Sequence, residues 1–131
     1  MAVNNITGTK DIMRYNAIPS VIYTNPEIAS VGITEEEAQK RNIRYKISNL
    51  PMAYAGRFVA ENEGKNGLIK IIAGEKYGEI LGVHMIGNPS SEIIYGAAAM
   101  IEAELRIKDI REIIFPHPTV SEIFKEAVFS F

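Results

Sequence analysis

The sequence contains no cysteine. That excludes structural disulfides, thiolate metal ligands and an intrinsic redox disulfide. Histidine is nearly as scarce, with only His84 and His117. With two imidazoles and no thiol, no zinc or transition-metal site is expected. The glycines never fall into G-x-G-x-x-G, and no P-loop occurs, so the chain has no recognisable nucleotide cradle of its own. No apolar run approaches the roughly 20 residues of a membrane span. The stretch from Met1 to Ile12 lacks the apolar central block of a secretory signal. Acids and bases are interspersed and the formal net charge is -2. Such a balance offers no basic footprint for nucleic acid and no polybasic membrane patch. The expectation is a cytoplasmic setting, with no nucleic acid and no membrane as partner.

What is present reads as one globular domain. The 131 residues are 47% hydrophobic and 23% charged, enough to bury a sizeable core. Residues 1–16 are polar and without a clear period, as in a frayed end or a remnant of something longer. Val21 to Tyr23 favours a strand, Asn25-Pro26 a turn, and Ile28 to Val31 a second extended piece. Thr34 and Glu37 form a capping-box pattern ahead of a short helix ending near Arg41. Arg44 to Ser48 alternates as a half-buried strand that Pro51 closes. Leu68 to Ala73 and Ile80 to Ile86 flank a polar loop with glycines near both ends, which predicts an antiparallel hairpin. Asn88-Pro89 reads as an N-cap and first helical position. The helix it opens, to about Leu105, carries Ile93, Ile94, Ala97, Ala98, Ile101 and Leu105 on one broad face. A turn near Asp109 to Ile113 and a last helix from Val120 to Phe129 complete the chain. The pattern predicts an α+β fold: an antiparallel β-sheet with helices packed mainly on one face.

One stretch points to chemistry. In Phe115-Pro116-His117-Pro118-Thr119-Val120-Ser121-Glu122 an imidazole sits between two prolines, five positions before a glutamate. The prolines stiffen the segment around His117. Histidine is the natural proton carrier near neutral pH. If Glu122 folds back to one ring nitrogen, the other is free for general acid-base work. A plainer reading stands beside it: Thr119-x-x-Glu122 is itself a capping box, with Glu122 merely closing the helix. His84 lies within an apolar strand and reads as a satisfied or partly exposed strand residue.

The same stretch resembles the H-P-T-x-S-E or H-P-T-x-H-E signature near the C-terminus of the dihydrolipoamide dehydrogenases, within the flavoprotein pyridine nucleotide-disulfide oxidoreductases. Two further blocks agree in order and separation. Ala17-Ile18-Pro19-Ser20-Val21-Ile22-Tyr23-Thr24-Asn25-Pro26-Glu27-Ile28-Ala29-Ser30-Val31-Gly32 resembles the opening of that family's interface domain. Gly82-Val83-His84-Met85-Ile86-Gly87, followed by Ser91-Glu92, fits its middle. The resemblance covers residues 17 to 129. It implies a dimerisation (interface) domain over 17–131, with 1–16 a remnant of the preceding flavin domain or a disordered N-terminal segment.

The resemblance implies a part of an oxidoreductase that passes electrons from dihydrolipoamide through a disulfide and FAD to NAD. It implies a homodimer that serves lipoyl domains of 2-oxoacid dehydrogenase or glycine cleavage complexes. His117 and Glu122 align with the family's catalytic pair, which reaches across the dimer to the other subunit. Pro118 and Thr119 align with its flavin-facing loop, as weak cofactor contacts. Phe115 stands where some members have a second histidine. The disulfide motif and the FAD- and NAD-binding domains are missing, so no cofactor and no dehydrogenase activity are expected of the isolated chain. Two other readings remain: a dimerisation module without a catalytic role, and the same domain of a soluble transhydrogenase, mercuric reductase or glutathione reductase. Ile113, Ile114, Phe115, Phe124, Phe129 and Phe131 form an apolar C-terminal region that either packs internally or meets a second copy.

Overall fold

The computed structural model describes residues 1–131. Its centre is an antiparallel sheet of five strands: β1 (Ser20–Ile22), β2 (Ile28–Gly32), β3 (Tyr45–Pro51), β4 (Leu68–Gly74) and β5 (Ile80–Ile86). Their spatial order is β1-β2-β5-β4-β3. The predicted hairpin is β4 and β5, which pair antiparallel from Leu68↔Ile86 to Ala73↔Ile80 with a shift between Ile72 and Ala73. The alternation of the strands sends Ala29, Val31, Ile69, Ile71, Val83 and Met85 to one face, where all are buried.

Six helices surround the sheet: α1 (Ala2–Ile6), α2 (Glu35–Lys40), α3 (Gly56–Glu61), α4 (Ser90–Glu102), α5 (Ile107–Arg111) and α6 (Glu122–Phe129). Helix α4 lies against β2 and β5, α6 against β3 and β4, and α5 against α6. Their apolar stripes (Ile94, Ala97 and Ile101 of α4; Ile123, Phe124, Ala127 and Val128 of α6) join the sheet in one core. Helix α2 is the exception to the one-sided arrangement. Its Glu35 pairs with Lys70 of β4, whose side chain alternates with the core-facing Ile69 and Ile71. At its start the Thr34 hydroxyl accepts from the Glu37 amide at 3.1 Å, as predicted. The Glu37 carboxylate turns to Arg41 instead of reaching back to the cap.

Several local expectations differ from the structure in detail. The helix after Asn88-Pro89 starts at Ser90 with Pro89 as its N-cap. Asn88 does not cap it; its side-chain oxygen accepts from the Glu27 amide at 2.9 Å. The α4 N-terminus is capped from another element, by Glu27 Oε2 accepting from the Ser91 amide at 2.9 Å. Strand β3 runs on to Pro51, which the ladder tolerates because β3 is an edge strand. The turn near Asp109 is the helix α5. Helix α3 and the preceding 3-10 turn (Met52–Tyr54) carry no start signal in the sequence; buried Met52 and Phe58 hold them. In residues 1–16, α1 has no buried residue, while Arg14 pairs with Glu102 and Glu104 at the far end of α4.

Candidate functional site: the His117–Glu122 pair

Helix α6 positions the site. Its C-terminal end is tied down on both sides. The Ser48 hydroxyl of β3 meets the Ser130 hydroxyl at 2.6 Å, and Ser130 donates on to the Ala127 carbonyl. Arg111 of α5 donates to the Val128 and Phe131 carbonyls and lies 5.6 Å from the Phe129 ring. With Ile123 and Phe124 buried in the core, the N-terminal turn of α6 is fixed as well, and Glu122 is its first residue.

Residues 112–121 carry the chain from α5 to α6 as a loop that bends at His117 and Pro118, with a cis bond between these two residues. Glu122 Oε1 lies 2.8 Å from His117 Nδ1. Glu122 Oε2 accepts from the Thr119 amide at 3.0 Å. The dyad and the cap are therefore the two halves of one carboxylate. Only half of the predicted capping box forms, because the Thr119 hydroxyl donates to the Pro116 carbonyl instead of accepting from the helix.

The electrostatics follow from these contacts. The Thr119 amide, then the hydrogen bond from His117, holds the Glu122 carboxyl below its ordinary value; the charges of His117 and Lys125 act in the same direction, against a desolvation effect. The carboxylate is thus ionised at neutral pH and can only accept. Nδ1 of a neutral His117 must then carry the proton, which leaves Nε2 as the basic nitrogen. The His117 side chain is 80% exposed, whereas that of Glu122 is 14% exposed. The imidazole is held at one nitrogen and presented at the other.

A groove of about 540 Å³ runs past this loop, with Arg57, Glu92 and Tyr95 facing Pro118, Thr119 and Ser121. His117 itself lines none of its wall. His84 is distant in role as well as in sequence: its Nε2 meets the Ile33 carbonyl at 3.0 Å, the satisfied strand histidine expected. Gly32, the last residue of β2, has φ +79, and a Cβ there would meet the Leu81 carbonyl at 2.2 Å. Of the apolar C-terminal residues, Phe124 is in the core and Phe115 and Phe131 pack against it. Ile114 is 94% exposed and Phe129 54%. Sequence reasoning missed Glu27 as the cap of α4 and the Thr119 hydroxyl as a closure of the His117 loop. The first had no local signal; the second lies in the H-P-T order itself.

A family model described as the pyridine nucleotide-disulphide oxidoreductase dimerisation domain matches residues 18–128. Mitochondrial dihydrolipoyl dehydrogenase of Caenorhabditis elegans is 36% identical over 97% of this chain and 26% of its own length. Dihydrolipoyl dehydrogenase of Mycoplasma genitalium is 42% identical over 88% of this chain and 26% of its own length. Leghemoglobin reductase of Glycine max is 38% identical over 95% and 24%. Among solved structures, the HOCl-induced flavoprotein disulfide reductase RclA of Escherichia coli superposes with a TM-score of 0.86 at 25% identity, over 98% of this chain and 30% of that one. LpdA of Mycobacterium tuberculosis shares the fold, with a TM-score of 0.88 at 21% identity over 98% of this chain and 28% of that one. The chain thus spans about a quarter of the length of the curated relatives it matches. It belongs to the dimerisation-domain family of the pyridine nucleotide-disulphide oxidoreductases.

Proposed function

We propose that this chain is the interface domain of a dihydrolipoamide dehydrogenase, and that it supplies half of an active site completed by the second subunit of a homodimer. The observation that carries this reading is the state of His117. Its Nδ1 is fixed at 2.8 Å from Glu122, while the side chain is 80% exposed and lines none of the groove. A general base works best where water is excluded. An imidazole so well oriented and so open is therefore a half-site awaiting a covering surface.

The chemistry assigned to these residues is proton transfer. The dithiol substrate must become a thiolate before it attacks a disulfide. Nε2 of His117 takes that proton and becomes part of an imidazolium. Glu122, accepting from Nδ1, balances the charge and holds the ring plane. The disulfide, FAD and NAD of the full-length enzyme supply the electron path, and they belong to domains outside this sequence. The residues present do not form a cradle for either nucleotide. The Thr119 amide and hydroxyl proton are both engaged within the loop, so Pro118 and Thr119 would meet a flavin edge only weakly. Lipoyl domains of a 2-oxoacid dehydrogenase or glycine cleavage complex are the partners of this reading, in a cytoplasmic enzyme. The similar identity to leghemoglobin reductase keeps a sister flavoprotein as the second reading.

Placing His117→Gln in the full-length enzyme tests the role. General acid-base catalysis contributes about 10²–10⁴-fold, so turnover should fall by that order while the dimer stays intact. Normal turnover would leave only a dimerisation module capped by Glu122. The isolated chain, incubated with dihydrolipoamide and NAD, should form no NADH; formation of NADH would overturn the half-site reading.

A further inference from the structure

In the segment from Pro116 to Glu122 the Pro116 carbonyl is met by a side chain and not by a backbone amide. Pro116 and Pro118 carry no N–H. The Thr119 amide is committed to Glu122 Oε2 at 3.0 Å. No backbone amide closes the turn onto the Pro116 carbonyl, on the far side of His117. The Thr119 hydroxyl takes that place at 2.8 Å, where the carbonyl can only accept. Its one proton is then engaged. The Ser121 hydroxyl, 2.9 Å away, must accordingly be the donor in its contact with Thr119. A directed chain results, from Ser121 to Thr119 to Pro116, spanning the residue that carries the imidazole. Thr119 is joined to both sides of the pair: its amide to the carboxylate, its hydroxyl to the residue before His117.

We propose that Thr119 is a positioning residue, whose hydroxyl, oriented by Ser121, closes the Pro116–Thr119 turn and keeps His117 Nδ1 on Glu122. The need for such a device follows from exposure. A hydrogen-bonded ion pair with one partner 80% exposed contributes little order by itself. The groups facing Glu122 are His117, the Thr119 amide and Lys125, and Lys125 is 3.7 Å from Glu126. These contacts hold the ring but not the backbone that carries it, and the closed turn supplies that restraint. The catalytic consequence rests on the function proposed above, whereas the geometric claim does not.

The test compares Thr119→Val, which keeps the shape and removes the hydroxyl, with Thr119→Ser, which restores the hydroxyl. In the 131-residue chain, NMR follows the carboxyl carbon of Glu122 through acid titration and the ring nitrogens of His117. Thr119→Val should move the Glu122 midpoint up towards the ordinary carboxylate value and mix the His117 tautomers. Thr119→Ser should restore both. Thr119→Ala makes the same prediction with no added bulk, should valine disturb the fold. Wild-type titration and a single tautomer in the valine and alanine variants would overturn the proposal. In the full-length enzyme, Thr119→Val should lower kcat by about ten- to a hundredfold with little change in KM, and Thr119→Ser should recover it. If His117→Gln leaves turnover normal while the NMR changes appear, the positioning role stands and the catalytic reading falls. If His117→Gln abolishes turnover while Thr119→Val changes neither NMR nor kcat, the reverse holds.

Discussion

Glu122 has two oxygens and two tasks. One oxygen accepts from the Thr119 amide and the other meets His117. Both contacts favour the charged form, so its folded pKa lies below the ordinary value. The linkage sign follows from that direction. The stability contributed by Glu122 is fully present above its unfolded pKa and is lost as pH falls through the lowered folded pKa. Glu122→Gln removes this ionisation. The stability gap between wild type and variant should therefore narrow as pH is lowered from about 6 to about 2, in denaturant unfolding followed at each pH. A gap that stays constant would show that the carboxylate charge is not what the loop uses. The sequence showed this residue but not its double use. The His117-to-Glu122 spacing allowed either a dyad or a cap, and only the geometry shows that a first-turn glutamate reaches both.

Among the elements, α4 illustrates how a correct signal can carry the wrong partners. Asn88-Pro89 does mark the start of the helix. Yet Asn88 serves the Glu27 amide, and Glu27 serves the helix. This exchange joins the entry to β2 with the start of α4, and no local pattern encodes a contact between residues 27 and 91. Glu27→Ala should cost about 1 kcal/mol, the usual loss for a helix cap, and Glu27→Gln less, because an amide oxygen still accepts. Urea unfolding of the two variants checks the order; equal stability of Glu27→Ala and wild type would contradict it. Helix α3 was not legible for a related reason. It is six residues long, opens on Gly56 and has no side-chain cap. Burial of Phe58, at 2% exposure, holds it where propensity does not. By contrast, β5 is apolar but for His84 and bounded by turn residues, and its limits match the sequence reading.

On the scale of the whole molecule, the α+β class followed from strand and helix periodicities, and the β4–β5 hairpin from its glycine-bounded loop. The strand order did not. It depends on β2 pairing with β5, far apart in the chain, with Gly32 opposite Gly82. The apolar C-terminal region divides: Phe124 fills the core, while Ile114 stays 94% exposed three residues before His117. The exposed imidazole and this exposed isoleucine lie on the same loop. Such a surface fits a domain whose site is finished by another subunit.

A hybrid dimer of the full-length enzyme tests that claim most directly. One subunit carries His117→Gln, and the other has its redox disulfide removed. If His117 serves the partner's disulfide, one of the two sites in the dimer is intact, and turnover should be about half that of wild type, as two-fold symmetry requires. If the hybrid has no turnover, His117 works within its own subunit, and the half-site account is wrong.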